Sequence, residues 1–132
     1  MFNYIENNRG DIIFPIPGDY HLDQNILLFA SVPQVDVLKR ASLFITHAGM
    51  NSASETIRYA VPVICIPQFS DQPLVAKRIC DELKFGIKLN SSSEEFDSDL
   101  VKRTVYQVLN DKSFLSNILE FSKNSKHSHF YF

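Results

Sequence analysis

Residues 44–55 constrain the fold of this chain most, because an apolar strand-like run leads directly into a histidine, a glycine and a helix-compatible segment. Residues 43–46 are apolar or β-branched, which indicates a buried strand, and residues 52–59 are compatible with a helix. Residues 47–51 are then the turn between strand and helix. The first N–H groups of a helix and the positive end of its dipole can hold an anion. This stretch therefore predicts an anion-binding corner.

Individual residues of the turn suit that task. His47, Asn51 and Ser52 offer side-chain donors, and Gly49 lets the backbone approach a ligand without an intervening Cβ. Each also has a purely structural explanation. Ser52 and Glu55 fit the capping box, which is the commoner meaning of this spacing, His47 can be a satisfied strand-end residue, and Gly49 can simply be part of a turn. The coincidence of all these residues favours the anion site.

Composition limits the class of protein. At 132 residues, 45% of them hydrophobic and 12% aromatic, the chain has the size of one domain and enough apolar residues for a core. A net charge of −2 and a pI near 6.0, without a basic stripe, argue against nucleic acid as a partner. Cys65 and Cys80 form neither a metal motif nor a disulfide framework, and are expected to be buried thiols.

The chain also carries no obvious targeting segment. No apolar run approaches the length of a membrane span, and the N-terminus has no signal-peptide core, so we expect a cytoplasmic protein. His127 and His129 stand in the tail, where a frayed end is a better explanation than a metal site. No metal site is therefore expected, and no cofactor is expected either.

Apolar runs predict strands at residues 11–16, 25–29, 43–46, 61–67 and 86–89. Residues 1–9 are expected to be a loose end or the last turn of a helix. Helices are predicted at residues 35–41, 52–59, 73–83, 98–110 and 114–123. Apolar residues on three of these helices, at 35–41, 73–83 and 98–110, are expected to face inward. They are Val35, Val37, Leu38, Ala41, Leu74, Val75, Ile79, Leu83, Leu100, Val101, Val105, Val108 and Leu109.

Alternating short strands and helices favour an α/β fold with a Rossmann-like parallel sheet flanked by helices. We expect one partial domain over residues 1–132, with an α/β core at 11–89 and a helical segment and tail at 90–132. In such folds ligands bind beyond the carboxyl ends of the strands, where His47 and residues 68–72 both fall. The two loops can therefore share one cleft. The chain lacks the glycine patterns of dinucleotide-binding and P-loop proteins.

Residues 32–89 resemble the C-terminal, donor-binding domain of the UDP-glycosyltransferases, the family-1 enzymes of GT-B fold, and are most similar to their macrolide-glycosyltransferase-like branch. The resemblance rests on a Pro-Gln pair, a His-x-Gly-x-Asn-Ser-x-x-Glu block, a proline and an Asp-Gln pair in the family's order and spacing. In this sequence these are Pro33-Gln34, residues 47–55, Pro67 and Asp71-Gln72.

The resemblance implies a role for each matching residue. His47 would contact the diphosphate of a UDP-sugar, beside Gly49, and Asn51 and Ser52 would add phosphate contacts. Glu55 would accept hydrogen bonds from the ribose hydroxyls, and Gln34 would lie in a loop that faces the uridine.

Asp71 and Gln72 would hold the hydroxyls of the donor sugar, since a carboxylate and an amide together offer acceptors and donors. Their structural alternative is an N-cap for the helix that follows. Many family members have tryptophan two residues before the Pro-Gln pair, where this chain has Ser31.

The family's catalytic base is a histidine of a separate N-terminal acceptor domain, for which the residues before Asp11 leave no room. The resemblance therefore implies the truncated, donor-binding part of an inverting glycosyltransferase, which transfers a hexosyl group from a UDP-sugar to a small lipophilic or phenolic acceptor. The alternatives are a non-catalytic nucleotide-sugar-binding relative and a donor subunit that another chain completes. In each case we expect no sugar transfer by this chain alone.

Overall fold

The computed structural model describes residues 2–6, 12–17, 29 and 31–124 of the chain. These residues form two compact units that divide between Val37 and Leu38. Each unit has its own sheet, of two strands in the first and three in the second.

The first unit contains an antiparallel strand pair. Strand β1 (Phe2–Glu6) pairs with β2 (Ile12–Pro17), with Phe2 opposite Pro17, and helix α1 begins in this unit and spans Gln34–Leu38. The strand predicted at residues 11–16 is confirmed. The prediction of a loose end or helical turn at residues 1–9 is wrong, because Phe2–Glu6 is a strand. The asparagines, glycine and aspartate of the sequence between the strands are typical of hairpin connections and signal this pairing.

The second unit contains the predicted parallel sheet. Its strands are β3 (Phe44–Thr46), β4 (Val63–Cys65) and β5 (Gly86–Lys88), which lie in the order β3-β4-β5 and are all parallel. These strands confirm three predictions, with shorter bounds. The strand predicted at residues 25–29 lies outside the described residues except for Phe29, which is in no strand.

Helices flank the sheet of the second unit. They are α2 (Met50–Arg58), α3 (Gln72–Ala76), which continues as a π-helical segment (Lys77–Glu82), α4 (Ser98–Asn110) and α5 (Ser113–Asn124). Helix α4 has the predicted bounds, and the Asp97 carboxylate caps it by accepting the Leu100 N–H at 2.7 Å. The mixed α/β class and the parallel sheet flanked by helices are thus as predicted.

The central strand β4 is buried on both faces. Because side chains alternate along a strand, Val63 and Cys65 face one layer and Ile64 faces the other. Val63 and Cys65 belong to a cluster formed with α2, α3, the π-helical segment and α5, whereas Ile64 packs in a second cluster with Val108 of α4. All three side chains are at most 1% exposed. The continuous apolar run predicted this environment.

Strand β5 begins at a position where only glycine fits. A Cβ on Gly86 would lie 1.7 Å from the backbone oxygen of Val63, in the neighbouring strand. Since the obstacle is main chain, no side-chain rotation can make room. Gly86 therefore permits the close approach of β5 to β4.

Three apolar residues predicted to face inward are exposed: Val37 at 49%, Leu74 at 71% and Leu109 at 45%. On α3 and the π-helical segment the buried face consists of Gln72, Val75, Ala76, Ile79 and Cys80. Small and polar residues fill much of that face, so that ranking residues by hydrophobicity selected Leu74 wrongly. Leu83 is half-buried against the same cluster.

Cys65 and Cys80 are free, buried thiols in one cluster, as expected. The hydrogen bond with Cys80 and the burial of the group raise the pKa of the Cys65 thiol. The Cys65 thiol is thus held in its neutral form inside the core. None of the helices in the described part of the chain combines the length and the apolar character that a membrane crossing requires.

Candidate functional site

Three loops meet at the carboxyl edge of the parallel sheet. His47 follows β3, residues 66–71 follow β4, and Ser91 lies shortly after β5. The last two loops are joined directly, because Gln68 Nε2 donates to Ser91 Oγ at 3.2 Å. The fold therefore brings two of the predicted binding segments, the turn after β3 and the loop before α3, to one edge of the sheet.

The turn after β3 has a left-handed residue that the sequence did not reveal. Ala48 has φ of 70°, is fully buried, and donates its N–H to Thr46 Oγ1 at 3.2 Å. The Thr46 main chain stays in register with the next strand, since its carbonyl accepts the Ile66 N–H at 2.8 Å. A side-chain acceptor and a small buried residue together turn the chain from strand to helix.

Gly49 makes room for the imidazole of His47. A Cβ on Gly49 would lie 2.9 Å from His47 Nε2, so the ring lies over the glycine at the helix start. The φ of Gly49 is −66°, which any residue adopts. Glycine at this position leaves the space that the ring occupies, a reason that the sequence pattern alone did not provide.

Helix α2 begins two residues earlier than predicted. Its N-cap is Gly49, without a side-chain cap, and Met50 is the first helical residue. Ser52 is therefore inside the first turn and not at the N-cap, so the capping-box interpretation of Ser52 and Glu55 is wrong. The first-turn amides of a helix have no intrahelical acceptor and carry the positive end of the dipole. The exposed His47 ring lies beside this helix start.

The start of α2 at Met50 determines where the other candidate residues lie on the helix. Asn51 is exposed in the first turn, while Ser52 and Glu55 are half-buried. Ser52 and Glu55 lie three positions apart and thus on one side of α2. Ala53, Thr56 and Ile57 of the same helix are buried.

The loop before α3 presents Asp71 and anchors Gln72. Asp71 is exposed and occupies the N-cap position, but its side chain makes no capping hydrogen bond. The alternative in which it serves as a helix cap thus lacks the contact it requires. Gln72 is only 7% exposed, and its Oε1 accepts the N–H of Gln68 at 2.9 Å and of Phe69 at 3.2 Å. Sequence reasoning missed this contact.

Gln34 belongs to the first unit. It was predicted in a loop, but it is the first residue of α1 and is half-buried. The preceding Pro33 carbonyl accepts the Val37 N–H at 3.1 Å, which closes the first helical turn.

A cavity of about 310 Å³ lies elsewhere in the second unit. It is lined by residues 82–85, which precede β5, and by Asn117, Glu120, Phe121 and Asn124 of α5. It therefore lies toward the amino ends of the strands, away from the turn after β3. Among the described residues, no group of three or more histidine, cysteine, aspartate or glutamate side chains can hold a metal ion. His127 and His129 lie outside the described residues.

Replacing Gly49 with alanine tests the packing of the ring. We expect a melting temperature within a few degrees of wild type, because φ allows alanine and the imidazole is free to rotate away. The measurement is the NOE between the His47 ring protons and the Hα protons of residue 49. It should be present in the wild type and absent in the variant.

The control is the same substitution in a His47→Ala background, where no ring is present and Gly49→Ala should keep only its effects on the N-cap and on the unfolded chain. An unchanged ring NOE in Gly49→Ala would contradict the geometry.

The family model described as "UDP-glucoronosyl and UDP-glucosyl transferase" matches residues 17–129. The chain is 39% identical over 102 residues to the NDP-glycosyltransferase YjiC of Bacillus subtilis, covering 77% of this chain and 25% of that protein. It is 36% identical over 105 residues to the uncharacterized UDP-glucosyltransferase YojK of the same organism, covering 80% of this chain and 25% of that protein.

Solved structures give the same result. The crystal structure of UDP-glucose: anthocyanidin 3-O-glucosyltransferase in complex with UDP is similar with a TM-score of 0.65 and 29% identity, over 73% of this chain and 22% of that chain. This chain thus spans about a quarter of the length of the relatives it matches. The family match covers most of this chain, including the parallel sheet and the turn after β3. The chain therefore belongs to the UDP-glycosyltransferase family, with the GT-B fold.

Proposed function

We propose that this chain binds a UDP-sugar at the carboxyl edge of its parallel sheet, as the donor-binding part of an inverting glycosyltransferase. The observation that carries the proposal is the exposed His47 ring at the start of α2, on the same sheet edge as the exposed Asp71 carboxylate. One feature suits a diphosphate and the other suits sugar hydroxyls. The relative solved in complex with UDP supports this choice of nucleotide.

The diphosphate is held at the helix start. The first-turn amides of α2 and the helix dipole stabilise negative charge there, and the imidazole of His47 adds a donor from the side. Asn51 and Ser52 lie in the same first turn and add side-chain donors. Glu55, one turn further along the helix, accepts hydrogen bonds from the ribose.

The donor sugar is held by the loop before α3. Asp71 accepts hydrogen bonds from sugar hydroxyls, and Gln72 adjoins it in the chain. In inverting transfer, an acceptor hydroxyl attacks the anomeric carbon while UDP leaves, and a base removes the hydroxyl proton. The acceptor is a small molecule. His47 stays with the departing diphosphate, where its donor stabilises the negative charge that develops on the leaving group.

The diphosphate site predicts that UDP binds more tightly than uridine. In calorimetry, His47→Ala should weaken UDP binding by about 1–3 kcal/mol, the range for losing a charge-assisted hydrogen bond, and should leave uridine binding unchanged. As a matched control, Glu120→Ala alters the cavity beside α5 and should leave both affinities unchanged. Equal affinity of the wild type for UDP and uridine would refute a phosphate site.

The sugar site predicts a different pattern for Asp71. Asp71→Ala should weaken the binding of UDP-glucose by about 1–3 kcal/mol and leave UDP binding nearly unchanged, because only the sugar loses a partner. Asp99→Ala removes an exposed carboxylate from α4 instead and serves as the control. If Asp71→Ala weakens UDP and UDP-glucose equally, the carboxylate does not recognise the sugar.

A further inference from the structure

The loop that follows β5 is joined to the loop that follows β4 at two points. At the base of the loops, where the two strands end, the Leu89 N–H donates to the Cys65 carbonyl at 2.8 Å. Further out, Gln68 Nε2 donates to Ser91 Oγ at 3.2 Å. The two loops therefore form a closed hydrogen-bonded ring at the carboxyl edge of the sheet.

The amide of Gln68 has one orientation in this ring. Its Nε2 also donates to the Ile66 carbonyl at 3.1 Å. Because a carbonyl only accepts hydrogen bonds, the nitrogen of the amide, and not its oxygen, must face Ile66 and Ser91. The Ser91 hydroxyl oxygen is therefore the acceptor. The Gln68 side chain is thus held between its own loop and the loop after β5.

Ser91 is itself held in place by a turn that starts at Asn90. The Asn90 side-chain oxygen accepts the Ser92 N–H at 2.9 Å, and the Asn90 carbonyl accepts the Ser93 N–H at 3.1 Å. Such contacts of an asparagine with the main chain that follows it stabilise tight turns. Ser91 lies between these contacts and is half-buried. Its hydroxyl is thus a fixed acceptor for Gln68.

The position of Gln68 affects the position of Asp71. Only two residues separate them, and the segment that they bound contains no helix or strand. One of the two, Ser70, has φ of 60°, a conformation that few serines adopt. A displacement of Gln68 is therefore transmitted through a short stretch of chain to the exposed Asp71 carboxylate.

We propose that Ser91 is a positioning residue of the donor-sugar site: its hydroxyl oxygen holds the Gln68 side chain, and thereby the part of the loop that leads to Asp71. Asp71 and Gln72 contact the sugar, whereas Ser91 acts through Gln68 and does not touch the sugar. The proposal rests on the proposed donor-binding function and adds the loop after β5 to the elements that shape the site.

Two substitutions at Ser91 test the hydroxyl. Ser91→Ala removes the acceptor, and Ser91→Thr keeps it. In calorimetry, Ser91→Ala should weaken UDP-glucose binding about threefold to tenfold, the effect of one lost hydrogen bond, and Ser91→Thr should stay close to the wild type. UDP binding should stay nearly constant in both, because the diphosphate site lies at the start of α2. Ser92→Ala is the matched control, because Ser92 is exposed and joins the turn through its main-chain N–H.

A double-mutant cycle tests whether Ser91 acts through Gln68. Gln68→Met removes the amide donor at a similar side-chain size, and should weaken UDP-glucose binding at least as much as Ser91→Ala, since the contact with Ile66 is lost as well. In the Gln68→Met background, Ser91→Ala should have no further effect. If Ser91→Ala weakens UDP-glucose binding equally in both backgrounds, the hydroxyl contacts the sugar directly and the positioning role is wrong. Equal weakening of UDP and UDP-glucose by Ser91→Ala would also overturn it.

NMR without ligand tests the contact separately from the proposed function. The side-chain amide signals of Gln68 should shift in Ser91→Ala and remain close to wild type in Ser91→Thr and Ser92→Ala. Unchanged Gln68 signals in Ser91→Ala would refute the contact. If the signals respond as expected but the wild type binds neither UDP nor UDP-glucose, the donor-binding function fails, and the sugar role of Ser91 fails with it. If the wild type binds UDP-glucose and Ser91→Ala leaves that affinity unchanged, only the role of Ser91 fails.

Discussion

The burial of β4 on both faces is the constraint on which the second unit depends. Fully burying a valine or isoleucine side chain stabilises a fold by about 1.5–3 kcal/mol, so Val63 and Ile64 each require a helical layer on their own side of the sheet. Parallel neighbours with crossover helices supply both layers. Because β4 is apolar on both faces, its side-chain alternation does not select the register of its neighbours. The close contact of Gly86 with the Val63 carbonyl restricts that register instead.

The location of the candidate site follows from this core. In a parallel sheet every strand ends at the same edge, and the turn after β3 and the loop after β4 are therefore neighbours. Within that edge the two segments achieve their shapes by different means. The first uses a buried left-handed Ala48 and the space left by Gly49 for the His47 ring. The second uses the Gln72 side chain as an acceptor for loop amides, which leaves the Asp71 carboxylate exposed.

The sequence predicted the class of fold and that the turn after β3 and the loop before α3 lie at one edge of the sheet, because both follow from apolar runs and their order. It failed where long-range geometry decides. The start of α2 depends on the conformation of Ala48 and on the position of the His47 ring, so the Ser52-x-x-Glu55 pattern, which also fits a capping box, does not reveal where the helix begins. Leu74 was placed inside because it is large, whereas Ala76 and Cys80 occupy the buried face. The importance of Gly86 depends on the Val63 carbonyl, which lies in another strand. The contacts of Gln72 depend on a loop shape that brings the Gln68 and Phe69 N–H groups to its side chain, and the residue types do not indicate that shape.

The most direct test of the account is a UDP titration of the chain followed by two-dimensional NMR of its backbone amides. The account predicts that the largest chemical-shift changes occur at residues 48–52, where the helix start and the His47 ring meet, and that replacing UDP with UDP-glucose adds changes at residues 68–72. Changes that cluster instead around residues 82–85 and α5, or amides at residues 48–52 that do not respond to saturating UDP, would contradict it.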